Sequence, residues 1–231
     1  MRVDGETDVR ETHAGQRHSE LLLGMIDELL AARRLSVREL DGIAFGEGPG
    51  SFTGLRIACG IVQGLAFGAD VRVVGVGTLL AMAEGSGADR VLCCVDARVH
   101  EIYHAAYCRV AAGERTGETQ GFPRNLLPSA SGEAWRIVHA PSVCAPAAAP
   151  DLPGEGWLAC GSGFKAYGDM LEKRYAGRLS RIDLALYPHA TDIAALSEPV
   201  FEAGRAMRPE DAAPVYLRNK VALRIDERPN R

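Results

Sequence analysis

Residues Gly46–Phe67 read GEGPGSFTGLRIACGIVQGLAF. Gly46, Gly48 and Gly50 crowd around Pro49, Ser51 and Thr53 follow, and the chain then turns apolar. A glycine-rich turn that opens a helix leaves backbone N–H groups pointing outward, an arrangement that can hold a phosphate. It can equally be a tight corner between a strand and a packing helix. Gly48 and Gly50 flank Pro49, so at least one of them is expected at positive φ, and Ser51 can cap the helix. Further on, Ile57, Ile61 and Leu65 form one stripe, and Gly60 and Gly64, four apart, let a neighbouring helix come close. No lysine stands where a P-loop needs one, so triphosphate hydrolysis has no local agent. The turn Gly48, Pro49, Gly50 and Ser51 reads as structural, and the helix after it as built for packing.

The surroundings fit an α/β chain. GIAFG (42–46) and VRVVGV (71–76) read as buried strands on either side of that helix, and Thr78 is placed to cap LLAMAEG (79–85). Upstream, HSELLLGMIDELLAARR (18–34) sets Leu21, Leu22, Met25, Ile26, Leu29 and Leu30 at helical spacing. The apolar stripe is wide, so this helix can be covered on more than one side. Ser36 and Glu39 in SVRELDG have the spacing of a capping box. Helix, strand, helix, strand, helix implies parallel strands.

Around residue 88 the pattern changes. VLCCVDAR (91–98) and EIYHAAYCRV (101–110) read as consecutive strands joined as a hairpin at Asp96–Val99, and 140–156, rich in Pro, Ala and Gly, as a loop. WLACG is a strand, GSGF (161–164) a turn and KAYGDMLEKRY (165–175) a helix. Thr191 and Asp192 open a last helix, and PEDAAPVYLRN (209–219) is an extended tail. Two α/β halves, 1–88 and 89–231, are the simplest account. No internal repeat is visible.

Composition narrows the function. A net charge of −4 with no Lys/Arg block argues against a chain that grips nucleic acid by itself. Cys59, Cys93, Cys94, Cys108, Cys144 and Cys160 show no metal-ligand spacing and read as reduced, buried residues. The polar start lacks a signal-peptide apolar core, and no apolar run approaches membrane-spanning length, so a cytoplasmic protein without membrane attachment is expected.

HEIYH (100–104) has the form of a zinc-peptidase motif, which needs both histidines on one helix face. On a strand His100 and His104 lie roughly 13 Å apart, too far for one zinc to bridge. GPGSF is not the G-x-S-x-G nucleophile elbow, and GSGF falls short of G-x-G-x-x-G. Asp96 reads as a turn-capping residue. No catalytic residue, cofactor ligand or metal ligand is assigned.

GPGSFTGLRIA (48–58), preceded by RHSELLLGMIDELL (17–30) and followed by VVGVGTLLAMA (73–83), resembles the bacterial TsaB (YeaZ) family. VDARVHEIYHAAY (95–107), ACGSGFKAY (159–167), YPHATDIAAL (187–196) and PEDAAPVYLRNKVA (209–222) continue the likeness in the same order. The resemblance implies an actin/sugar-kinase-like (ASKHA) fold of two RNase H-like lobes. It implies a non-catalytic scaffold, a degenerate relative of TsaD, needed with TsaD and the ATPase TsaE to place threonylcarbamoyladenosine beside the anticodon of ANN-reading tRNAs. The partner interface it implies takes Leu22, Met25, Ile26 and Leu29 from one helix and Ile57, Ile61 and Leu65 from the other. The same helices can serve a homodimer. Any ATP or ADP is left to the interface of the complex, and no direct tRNA binding is expected of this chain.

Family members usually begin with a strand ending in a D-T-S or D-T-A turn, whereas MRVDGETDVRETHAGQRHS matches the second and third strands only. Either the start codon is placed too far downstream or the first strand is absent, and the N-terminal lobe is then truncated. Two other classes stay open: an ATP-dependent small-molecule kinase of the same fold, and a self-associating structural protein.

Overall fold

The computed structural model describes residues 1–12, 17–110, 126–128 and 133–218. Two short strands, β1 (Arg2–Val3) and β2 (Glu6–Thr7), pair as a hairpin at the N-terminus. Helix α1 (His18–Arg33) follows; Arg33 ties it to this arm through Glu6 and Asp8. A single 3-10 turn (Val37–Glu39) carries the expected capping box: the Glu39 carboxylate accepts from the Ser36 N–H and hydroxyl, both at 2.8 Å.

Strand β3 (Gly42–Gly48) leads through the glycine turn into α2 (Phe52–Ala69), and β4 (Arg72–Gly77) returns parallel to β3. Cys59, Val62 and Ala66 of α2 cover Phe45 and Val73, a small core of their own. Helix α3 (Thr78–Gly85) starts directly from β4. Here the expectation for Thr78 fails: Gly77 occupies the cap and no side chain caps this helix, because Thr78 is already its first residue.

The second lobe is a six-stranded sheet. β5 (Arg90–Arg98) and β6 (Glu101–Val110) form the hairpin, β7 (Leu126–Pro128) and β8 (Ala134–Cys144) extend it, and β9 (Trp157–Cys160) and β10 (Leu179–Asp183) complete it, in the order β10-β9-β5-β6-β8-β7. β10, β9 and β5 are parallel and the rest antiparallel. The hairpin turn is Arg98–His100, slightly later than expected, because pairing skips from Asp96 to Arg98. The first five residues of the expected loop 140–156 are strand, since β8 runs to Cys144 despite Pro141, and the rest is irregular apart from a 3-10 turn at Pro146–Ala148. GSGF is not a free turn either: α4 (Ser162–Arg174) begins within it.

Helix α5 (Ala190–Glu202) crosses back to the first sheet and packs on β3 and β4. A boundary at residue 88 thus separates the two sheets but not the layers around them. One core joins Val74, Val76 and α3 to Cys93, Tyr107, Trp135 and Leu158; another, on the far face of the large sheet, holds Leu92, Ile102, Trp157, Phe164 and Tyr175. After a 3-10 turn (Pro209–Asp211) the tail is extended to residue 218, and its end lies outside the described residues.

Candidate docking site around the glycine turn

β3 delivers the chain to the turn, and one residue in it has no alternative to glycine. Gly48 has φ +115°, the Gly48–Pro49 peptide is cis, and a Cβ on Gly48 would stand 3.0 Å from Leu55 Cδ1 and from the Val215 carbonyl. Gly50 has ordinary backbone, with Leu55 3.9 Å from a built Cβ. Of the two glycines flanking Pro49, it is therefore Gly48 that takes the positive φ. Gly48→Ala is expected to lose about 2 kcal/mol of stability in urea unfolding, with Gly50→Ala near wild type. Ser51 caps α2 as read from the sequence, its hydroxyl accepting the Gly54 N–H at 3.3 Å.

Helix α2 meets the length and composition of a membrane span, with 18 residues and mean hydropathy 1.3, contrary to the expectation that no run comes near. Among its residues only Cys59, Val62 and Ala66 are buried. Ile57, Ile61 and Leu65 are half-buried along a flank, while Phe52, Arg56, Gly60, Gly64 and Phe67 are exposed. Phe67 is 76% exposed, and Cβ atoms on Gly60, Gly64 or Gly68 would meet nothing within 4 Å.

On α1, Leu22, Met25, Ile26 and Leu29 are half-buried, and Leu23 is 48% exposed beside an open Gly24. Leu22 and Met25, together with Leu21, line a crevice of about 490 Å³ whose other walls are Val9–Thr12 and Pro188–Thr191. The structure thus divides the seven sequence-predicted residues, and sets beside them others that apolar periodicity passed over: Leu23, Phe52, Arg56, Phe67 and Tyr216. Arg56 lies with its guanidinium 3.7 Å from the centre of the Phe52 ring and donates Nε–H to the Tyr216 hydroxyl at 2.8 Å. Phe52 and Arg56, one helical turn apart, were the available signal in GSFTGLR.

Near the turn, burial pushes the Glu47 carboxyl up, over Gly75 of the neighbouring strand. Asp96, in the other lobe, accepts the Arg98 N–H at 2.8 Å, the turn-capping role expected of it. In HEIYH, His100 is exposed at the hairpin turn, and His104 is wholly buried inside the sheet on β6. No helix carries the motif, and among the described residues no group of three His, Cys, Asp or Glu could hold a metal. Cys93 Sγ lies 3.6 Å from Cys160 Sγ, and burial pushes the Cys93 thiol well up, which leaves it unreactive.

A two-lobed α/β chain of this kind is a TsaD-type domain: the TsaD family, tRNA N6-adenosine threonylcarbamoyltransferase, matches residues 9–223. YeaZ from Pseudomonas aeruginosa has the same fold, with TM-score 0.70 and 32% identity over 87% of this chain and 85% of that one. The tRNA threonylcarbamoyladenosine biosynthesis protein TsaB of Escherichia coli K12 is 36% identical over 95% of this chain and 88% of its own length. The TsaB of Haemophilus influenzae is 34% identical over 90% and 83%. The chain belongs to the TsaB family.

Proposed function

We propose that, within tRNA threonylcarbamoyladenosine biosynthesis, this chain is a non-catalytic scaffold subunit of the cytoplasm that docks TsaD and TsaE homologues. The α1–α2 side receives TsaD, the same helices serve a homodimer when TsaD is missing, and tRNA is left to the assembled complex. One observation carries the reading: an 18-residue apolar helix with three residues buried and Gly60 and Gly64 facing open space. Exposed apolar surface of this kind marks an interaction site, and small residues let helix backbones approach closely.

The glycines separate folding from docking. In an unpartnered helix, Gly→Ala adds about 1 kcal/mol of stability. The double change Gly60→Leu and Gly64→Leu should therefore leave the monomer, compared at a concentration below that of homodimer formation, at least as stable as wild type. It should also abolish co-purification with TsaD and tRNA modification in a reconstituted system. Retention of both in the double variant, or threonylcarbamoyl transfer by this chain alone, rules the proposal out.

A further inference from the structure

The tail Ala212–Arg218 crosses from one lobe to the other. Ala212 is buried against α2, where its carbonyl accepts Gln63 Nε2–H at 2.8 Å and the Cys59 thiol at 3.4 Å. The Val215 N–H donates to the Glu47 carbonyl at 2.7 Å, and Tyr216 meets Arg56 as described. Arg218 then reaches the hairpin of the second lobe. Its Nη2 donates to the Ala97 carbonyl at 3.0 Å, to the Arg98 carbonyl at 3.3 Å and to the Glu101 carboxylate.

That hairpin tip is strained. Arg98, Val99 and His100 have φ of 64°, 53° and 59°, so three consecutive residues with side chains sit in the left-handed region. Asn-Gly is the pair that adopts such a turn with least strain, and a β-branched valine is among the worst fitted. Packing does not hold Val99 there, because it is 72% exposed. The local bonds include the Asp96 carboxylate on the Arg98 N–H, its ion pair with the Arg98 guanidinium at 3.2 Å, and strand pairing that resumes at Arg98 and Glu101. The remaining clamp comes from the tail: one nitrogen, Arg218 Nη2, set among two carbonyls and a carboxylate, with the charge of the group on Glu101.

We propose that Ala212–Arg218 is a latch that holds the Arg98–His100 tip in its left-handed form and couples it to the first turns of α2. Whatever shifts Phe52 or Arg56 loosens Tyr216, and through the short run to Arg218 it releases the tip. By linkage, whatever holds the tip favours the docked tail and the present setting of α2. The coupling is a property of this chain alone and does not depend on which partner α2 receives.

Brief tryptic digestion of the full chain, followed by mass spectrometry, tests it through cleavage at Arg98–Val99. Trypsin needs extended chain, so this cut samples the opened tip. Arg218→Met should raise the cutting rate about tenfold, and Arg56→Met, in the other lobe, several-fold. The double variant should rise by less than the product of the two, the mark of one shared element. Arg218→Lys keeps the charge, but its ammonium ends one bond short of where Nη2 sits, so it should fall between; it carries the test if Arg218→Met loses the native circular-dichroism spectrum. A wild-type rate in Arg56→Met, multiplicative effects in the double variant, or a wild-type rate in a natively folded Arg218 variant each overturns the latch.

Discussion

Acidification from pH 6.5 to pH 4 is expected to remove about 3 kcal/mol of stability through His104 alone. The side chain is wholly buried on β6, its Nδ1 lies 3.1 Å from the Ser142 hydroxyl, and its Nε2 has no hydrogen-bond partner. Burial first, and then the neighbouring His139, whose ring centre is 5.7 Å away, push its pKa down from 6.5 to about 4. Between those values the unfolded chain takes up a proton that the folded chain refuses. The stability is therefore whole above pH 6.5 and falls as pH drops towards 4. Urea unfolding of wild type and His104→Leu across this range checks the expectation. Wild-type stability minus that of His104→Leu should fall steadily on acidification; parallel curves would falsify the assignment.

Gly161→Ala should be more damaging still, with a loss of about 4 kcal/mol or failure to fold. Gly161 has φ +98° and ψ 171°, a backbone region that is essentially glycine's own. A Cβ there would stand 2.5 Å from the Cys94 carbonyl oxygen, which is backbone and cannot turn aside. Gly163 is pressed on the same carbonyl, at 2.8 Å from a built Cβ. The start of α4 thus lies directly on β5, with the Ser162 hydroxyl accepting the Asp96 N–H at 3.1 Å. Gly177→Ala, where φ is +73° and nothing lies within 4 Å, isolates the backbone cost from the steric one. Thermal or urea unfolding of both variants should place Gly161→Ala well below Gly177→Ala.

Local chemistry was legible wherever it decided the structure. Ser36 with Glu39, Ser51 before α2, the stripe of α1 and the strands around the glycine turn could all be read from spacing. β8 was hidden because AWRIVHAPSVC mixes apolar and polar residues without clean alternation and contains Pro141. β10, LSRID, is a short charged edge strand, for which periodicity gives almost no signal. For the candidate site, the opened glycines of α2 could be anticipated, but the split of α1 could not. Leu22 and Met25 face a crevice whose far wall is Pro188–Thr191, a neighbour that no local pattern announces. Arg218 on Glu101 spans 117 positions of chain and was invisible for the same reason.

The chain has two tryptophans, and both sit in the second lobe with no exposure: Trp135 donates to Glu84 beneath the Arg109 guanidinium, and Trp157 donates to the Pro153 carbonyl on the opposite face of the sheet. Intrinsic fluorescence excited at the indole band is consequently a two-sided gauge of the large sheet and nothing else. Trp135 reports the seam where α3 meets β8, and Trp157 reports the layer under α4. The β3–β4 sheet and the exposed side of α2 have no indole of their own, so an optical titration of docking requires a tryptophan introduced there, for which Phe67, 76% exposed, is the open position.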